Sequence, residues 1–367
     1  MATIKVLDGG LGTSLEDKYG VKFNHSQPLW SSHFLISSHD TLLACQKDFV
    51  EAGADVLLTA TYQLSVEGFA RTRTQDFPDG IPKGSITPYL AGAVEIAEKA
   101  SAHGKAKVAL SLGPYGASMI PGQEYSGKYD AEHDSEEGLY QWHLERLRLF
   151  LAVERLQDRV RYVAFETLPR LDEVRAVRRA IRAAGVATDG AGPRFWISCV
   201  FPGETDDLPD GSTIDQVVEA MIGYMSDGAR PWGIGINCTK IHKLPRLIRK
   251  FEDAVRKIQV AAPGQETPWL VLYPDGTNGE VYNTTTKQWE KPAGLSGEGQ
   301  LKVRISSPDR PSCAVYSRSL QDPWEVQLAG TVQDAYSRGC FKAFLVGGCC
   351  KASHADIKRL HDTFHSQ

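Results

Sequence analysis

Eight short apolar runs punctuate the chain, at residues 4–7, 55–61, 107–112, 162–166, 195–201, 232–237, 269–273 and 343–346. Most are apolar throughout, which marks parallel strands buried on both faces; a half-exposed strand alternates. Helical patterns fill the intervals. Thr87-Pro88 fits an N-cap followed by proline, and Leu90, Val94 and Ala97 keep helical spacing until Gly104. Leu42, Leu43, Phe49 and Val50 form another apolar face, ending at Gly53. Val174, Val177 and Ile181 form a third within 172–184, stopping at Gly185. Strand then helix, eight times over, predicts an α/β chain folded as a (β/α)8 TIM barrel. The whole chain, 1–367, then reads as a single domain with loop insertions. A doubly wound open sheet is the alternative, but Asp8-Gly9-Gly10-Leu11-Gly12 lacks the third glycine of a dinucleotide turn. Three connections are longer than a barrel needs: 75–86, 113–135 and 293–323. The first and third read as surface insertions, loosely ordered or lid-like.

The formal net charge of −4 advertises no basic surface, so nucleic acid and anionic membranes are excluded as default partners. No apolar run approaches the roughly 18 residues of a membrane helix. Seven cysteines, an odd number in a chain whose first residues run straight into a strand, do not form a disulfide framework. A reduced, soluble, cytoplasmic protein is expected.

Barrel enzymes build their active sites at the C-terminal ends of the strands. There this sequence places Asp8, Thr59, Thr61, Glu166, Cys238 and the pair Cys349-Cys350. Glycines at 347 and 348 let a tight turn aim both paired sulfurs inward. Three thiolates fill three positions of a tetrahedral zinc site and leave the fourth open, as catalytic zinc requires. Free cysteines also pack as small hydrophobes, and on spacing alone both readings stand. Cys45, within a helix, and Cys199, within a strand, are assigned to the core; Cys313 and Cys340 have no site-like setting. His354 opens the last helix and reads as a capping or solvated residue, and His25, His103 and His361 as surface residues.

Six segments, in order along nearly the whole chain, carry a resemblance. They are Leu7-Asp8-Gly9-Gly10-Leu11-Gly12-Thr13, Gly53 through Gln63, and Ser111-Leu112-Gly113-Pro114-Tyr115-Gly116-Ala117. They continue with Phe165-Glu166-Thr167-Leu168-Pro169, Gly235-Ile236-Asn237-Cys238-Thr239 and Val346-Gly347-Gly348-Cys349-Cys350. The chain resembles the homocysteine S-methyltransferase family, zinc-dependent barrels that methylate a thiol. The resemblance implies Zn2+ held by Cys238, Cys349 and Cys350, with Asn237 orienting the site from behind. It implies that Asp8 and Glu166 take the ammonium of L-homocysteine, with Gly9 and Thr59 also on the substrate. A lone strand-end acid more often caps a loop amide, but two on one rim favour binding.

Segments 125–129 and 273–282 look like loops of the branch that uses S-methylmethionine or S-adenosylmethionine as donor. Extra residues between Pro274 and Gly279, and the stretch 293–323, depart from that branch's pattern. A sulfonium carries a fixed positive charge, better met by aromatic faces than by Lys or Arg. Tyr62 and Tyr115 are therefore the expected donor contacts, while Phe165, inside a strand, reads as core. The expected activity is methyl transfer from a sulfonium to homocysteine, forming methionine, with small molecules as the partners. A betaine donor is the alternative within the family. A zinc hydrolase on the same fold would favour His and carboxylate ligands instead. The sequence carries no signal for an oligomeric state.

Overall fold

The chain forms a parallel sheet of eight strands that curls until its edges meet. The strands are β1 (Thr3–Val6), β2 (Val56–Leu58), β3 (Lys107–Leu112), β4 (Tyr162–Leu168), β5 (Arg194–Cys199), β6 (Gly233–Asn237), β7 (Trp269–Tyr273) and, after a two-stranded hairpin, β10 (Ala343–Val346). The hairpin pairs β8 (Val281–Asn283) with β9 (Gln288–Glu290). Strand order is β1-β10-β7-β6-β5-β4-β3-β2, and a parallel bridge from Leu7 to Val56 joins the two edges. Asp55 N donates to Val6 O at 2.7 Å and Asp8 N to Val56 O at 3.1 Å across that seam. The structure, a computed structural model, describes residues 2–23, 27–101, 105–186, 192–277, 281–283, 288–290 and 322–365. The expectations for 293–321, Gly104, His25, His103 and Cys313 lie outside the described residues.

Alternation along each strand divides the side chains between two cores. Leu7, Val56, Ala109, Tyr162, Ala164, Trp196, Val271, Tyr273 and Leu345 fill the barrel interior. Their neighbours, among them Val163, Phe165, Ile197, Ile234 and Leu272, pack outward under the helices. The same parity turns Ser111, Glu166, Asn237 and Tyr273 inward at the C-terminal ends of their strands. That top layer is polar where the layers beneath are apolar. Among the described residues, no helix is long and apolar enough to cross a membrane.

Local details depart from the sequence expectations in three places. The second strand ends at Leu58 because Thr59 and Thr61 bond their hydroxyls at 2.6 Å and turn the chain. Thr87 is the first residue of the helix Thr87–Ala100, not its cap. A 3-10 turn, Lys83–Ser85, runs directly into that helix through αR Ile86, leaving no extended residue to cap it. His361, expected as a surface residue, is only partly exposed. Its ring fills the space over Gly53, where a Cβ would lie 2.5 Å from the His361 Cδ2, and Gly53 itself has φ +100°.

Candidate active site

The polar top layer opens into a cleft, continuous with solvent, at the C-terminal end of the barrel. Asp8, Gly9, Thr59, Tyr62 and Glu166 line it, and so do Asn237, Cys238, Cys349 and Cys350.

The turn after β10 is pinned on both sides by backbone hydrogen bonds. Gly348 N donates to Asp8 O at 3.0 Å, and Cys349 N to Pro274 O at 2.8 Å. Cys238 N donates to Tyr273 O at 3.1 Å, so the ends of β1, β6, β7 and β10 are laced together around the sulfurs. Gly9 is required by close approach: a Cβ there would lie 2.3 Å from Ala352 O. Cys238 sits at φ +46°, a left-handed conformation that swings its sulfur off the strand direction. The three Sγ atoms of Cys238, Cys349 and Cys350 lie within 4.8 Å of one another, a grouping able to hold a metal ion.

In this structure Cys238 and Cys349 are joined as a disulfide, which corrects the expectation of free thiols throughout. Their Cα atoms are 5.4 Å apart, inside the range a disulfide spans, so the pairing follows from proximity alone. A disulfide sulfur is no thiolate, so the metal-holding form is the reduced one. Cys350 is free, and burial pushes its thiol up to about 12, with the Asp275 charge adding and a Tyr125 hydrogen bond opposing. The remaining described cysteines, Cys45, Cys199 and Cys340, are buried, as core packing requires.

Two buried carboxylates line the same cleft as the sulfurs. Asp8 Oδ2 accepts the Leu58 N–H at 2.8 Å, while its Oδ1 is buried without a hydrogen-bond partner. Burial holds the Asp8 carboxyl well above the usual range, opposed by the Leu58 amide and reinforced by Glu166. Glu166 accepts from the Ser111 hydroxyl, and burial raises its carboxyl to about 7 against the Ser111 and Tyr273 hydrogen bonds and the Arg146 charge. Glu166 does not close β4. The strand continues to Leu168 through a register irregularity, with Thr167 at φ +61°. Thr59 lines the cleft with its hydroxyl already engaged, bonded to Thr61 Oγ1 and accepting the Ser111 N–H at 3.1 Å.

The structure does not bring Tyr115 to the cleft. Its amide donates to Glu173 Oε1 at 2.7 Å, its hydroxyl donates to Asp130, and its ring stacks on His133 with centroids 3.9 Å apart. Those partners turn it into a cluster beside the helix Glu136–Leu151, and the donor assignment to Tyr115 is withdrawn.

Three residues that line or support the cleft escaped the sequence reading. Tyr125 opens the 125–129 loop and hydrogen-bonds Cys350. Glu124, its neighbour, had no motif to single it out. Arg146, buried within a helix, donates to the carbonyls of Thr61 at 3.0 Å, Tyr62 at 2.6 Å and Gly113 at 2.7 Å. It thereby fixes the chain beyond β2 and β3.

Comparison with known proteins agrees with this architecture. The model of the family described as homocysteine S-methyltransferase matches residues 5–364. Homocysteine S-methyltransferase 1 of Arabidopsis thaliana is 30% identical over 304 residues, covering 81% of this chain and 83% of the relative. Homocysteine S-methyltransferase of Escherichia coli (strain K12) is 28% identical over 366 residues, covering 97% and 94%. The metallated form of the homocysteine methyltransferase MmuM from Escherichia coli superposes with a TM-score of 0.65 at 24% identity, covering 98% of this chain and 96% of that one. That structural likeness bears on the fold.

Proposed function

The chain belongs to the homocysteine S-methyltransferase family, and we propose that it makes methionine by moving a methyl group from a sulfonium donor to L-homocysteine at a zinc-bearing site. The observation that carries this reading is the convergence of three sulfurs within 4.8 Å beside two buried carboxylates in one cleft. The donor set fits the metal: three soft thiols with no imidazole or carboxylate among them suit zinc, and all three line the cleft. Cys238, Cys349 and Cys350 would hold it. Bound zinc would supply the positive charge that keeps a homocysteine sulfur deprotonated at neutral pH.

The chain's own residues do the rest. Asp8 Oδ1, buried and without a partner, is an acceptor waiting for an N–H donor, and with Glu166 it would receive the homocysteine ammonium. Asn237 donates to Cys238 Sγ at 3.2 Å and so sets the direction of that sulfur. In the transfer, the homocysteine sulfur forms a new bond to the methyl carbon as the donor's S–CH3 bond breaks. The electron pair stays on the donor sulfur. A neutral thioether departs, so no general acid is needed; the thiol proton has already left to solvent on binding. Holding the two sulfurs in line would supply much of the acceleration.

The whole chain is taken as one catalytic domain, with Tyr62 the aromatic candidate for the donor. A reducing, cytoplasmic setting suits the reading, since all three sulfurs must be thiols. The test is methionine formation by the reduced, zinc-loaded protein from homocysteine with S-methylmethionine, S-adenosylmethionine or betaine at equal concentration. Turnover with a sulfonium is expected. Fastest turnover with betaine would overturn the donor assignment, and no turnover with any donor the whole reading.

A further inference from the structure

A third buried carboxylate lines the cleft and has no task in the scheme above. Glu124 lies in the long connection after β3 and is 8% exposed. Its Oε2 has no hydrogen-bond partner, and among the described residues no Lys, Arg or His pairs with it. The carboxylate rests against Gly122, where a Cβ would lie 2.4 Å from Oε2. It is close enough to Cys350 and Tyr62 for its charge to act on both. A buried acceptor of this kind is costly unless a donor arrives with the ligand.

We infer that Glu124 accepts a hydrogen bond from the α-ammonium of an amino-acid methyl donor, and so selects sulfonium amino acids over donors that lack an N–H. The inference rests on the methyl-transfer reading and adds to it a residue that sets donor specificity. Homocysteine's own ammonium is already provided for by Asp8 and Glu166. The sulfonium is a poor match for Glu124: it has no N–H to offer. Its charge also disappears as the methyl leaves, so a carboxylate beside it would stabilise the ground state more than the transition state. An ammonium keeps its charge throughout, and holding it costs nothing at the barrier. Betaine, a quaternary ammonium, has no N–H to offer Glu124.

The experiment is calorimetric binding to the reduced, zinc-loaded protein without homocysteine. Two probes are compared: S-methylmethionine, and dimethylsulfoniopropionate, which keeps the sulfonium and the carboxylate but lacks the ammonium. Glu124→Gln should weaken S-methylmethionine about ten- to a hundred-fold and change dimethylsulfoniopropionate by less than about threefold. Gly122→Ala, whose methyl would displace Oε2, should give the same selective loss, so a folding failure of one variant leaves the other as the test. Undiminished affinity for S-methylmethionine, or equal loss of both probes, would overturn the assignment. If wild-type protein still makes methionine when that happens, Glu124 alone falls; if it makes none from any donor, the methyl-transfer reading falls with it.

Discussion

Asn237 and Thr167 grip each other across the mouth of the barrel. Thr167 N donates to Asn237 Oδ1 at 2.8 Å, and Asn237 Nδ2 donates to Thr167 Oγ1 at 2.7 Å. The pair ties the irregular end of β4 to the end of β6, and both flanking conformations, Thr167 and Cys238, lie at positive φ. With Nδ2 also 3.2 Å from Cys238 Sγ, one amide supports a strained backbone and aims a sulfur.

Replacing Asn237 by Ala should therefore do two things at once. The buried Thr167 N–H loses its acceptor, at about 1–3 kcal/mol of stability. Zinc affinity should fall roughly ten- to a hundred-fold as Cys238 loses its orienting partner. Denaturant unfolding reads the first and chelator competition the second. Unchanged zinc affinity would show that the amide serves the backbone alone.

Glu166 makes stability and substrate binding oppose each other. Its carboxyl is raised from 4.5 to about 7 in the folded protein, mainly by burial. Between those values the native state binds more protons than the unfolded one, so stability falls as pH rises through that window, by about 3 kcal/mol in all. Glu166→Gln should thus make the substrate-free protein more stable than wild type at pH 8 and nearly equal to it at the acid end. The same variant should bind homocysteine roughly tenfold more weakly or worse. In wild type, homocysteine affinity should decline as pH drops below about 7 and the carboxylate is protonated. A Gln variant less stable at pH 8 would contradict this account.

Arg146 should prove structural despite its place behind the cleft. Methionine at 146 would leave the carbonyls of Thr61, Tyr62 and Gly113 without their shared donor, for a loss of about 3 kcal/mol or more. Lysine should not rescue it, because one ammonium cannot reproduce a planar fork. Denaturation midpoints of both variants check this, and a loss under about 1 kcal/mol would remove Arg146 from the account.

The barrel was legible because its strands are short runs apolar on both faces, unlike half-exposed strands, and alternate with longer helical patterns. The grouping of Cys238 with Cys349 and Cys350 was legible for a related reason: each closes a barrel strand, and all eight closures meet at one rim. What the sequence hid depends on contacts between distant segments. Tyr115 sits just past β3, as a rim residue would, yet Glu173 and Asp130 take its polar groups and turn it aside. Arg146 looks like any arginine of an amphipathic helix until its three carbonyl partners are seen. Glu124 sits in a polar loop and is distinguished only by what surrounds it. The Cys238–Cys349 disulfide could not be read from an odd cysteine count, since it follows from a 5.4 Å Cα separation across 111 residues.

The central claim is that three thiols of this chain hold the metal on which methyl transfer depends. Its most direct test is the zinc-to-chain ratio of the reduced protein and of Cys350→Ala, chosen because Cys350 is the sulfur outside the disulfide. The account requires about one zinc per wild-type chain, with both zinc and methionine formation lost in the variant while circular dichroism shows the barrel intact. A Cys350→Ala protein that keeps its full zinc and full turnover would contradict it.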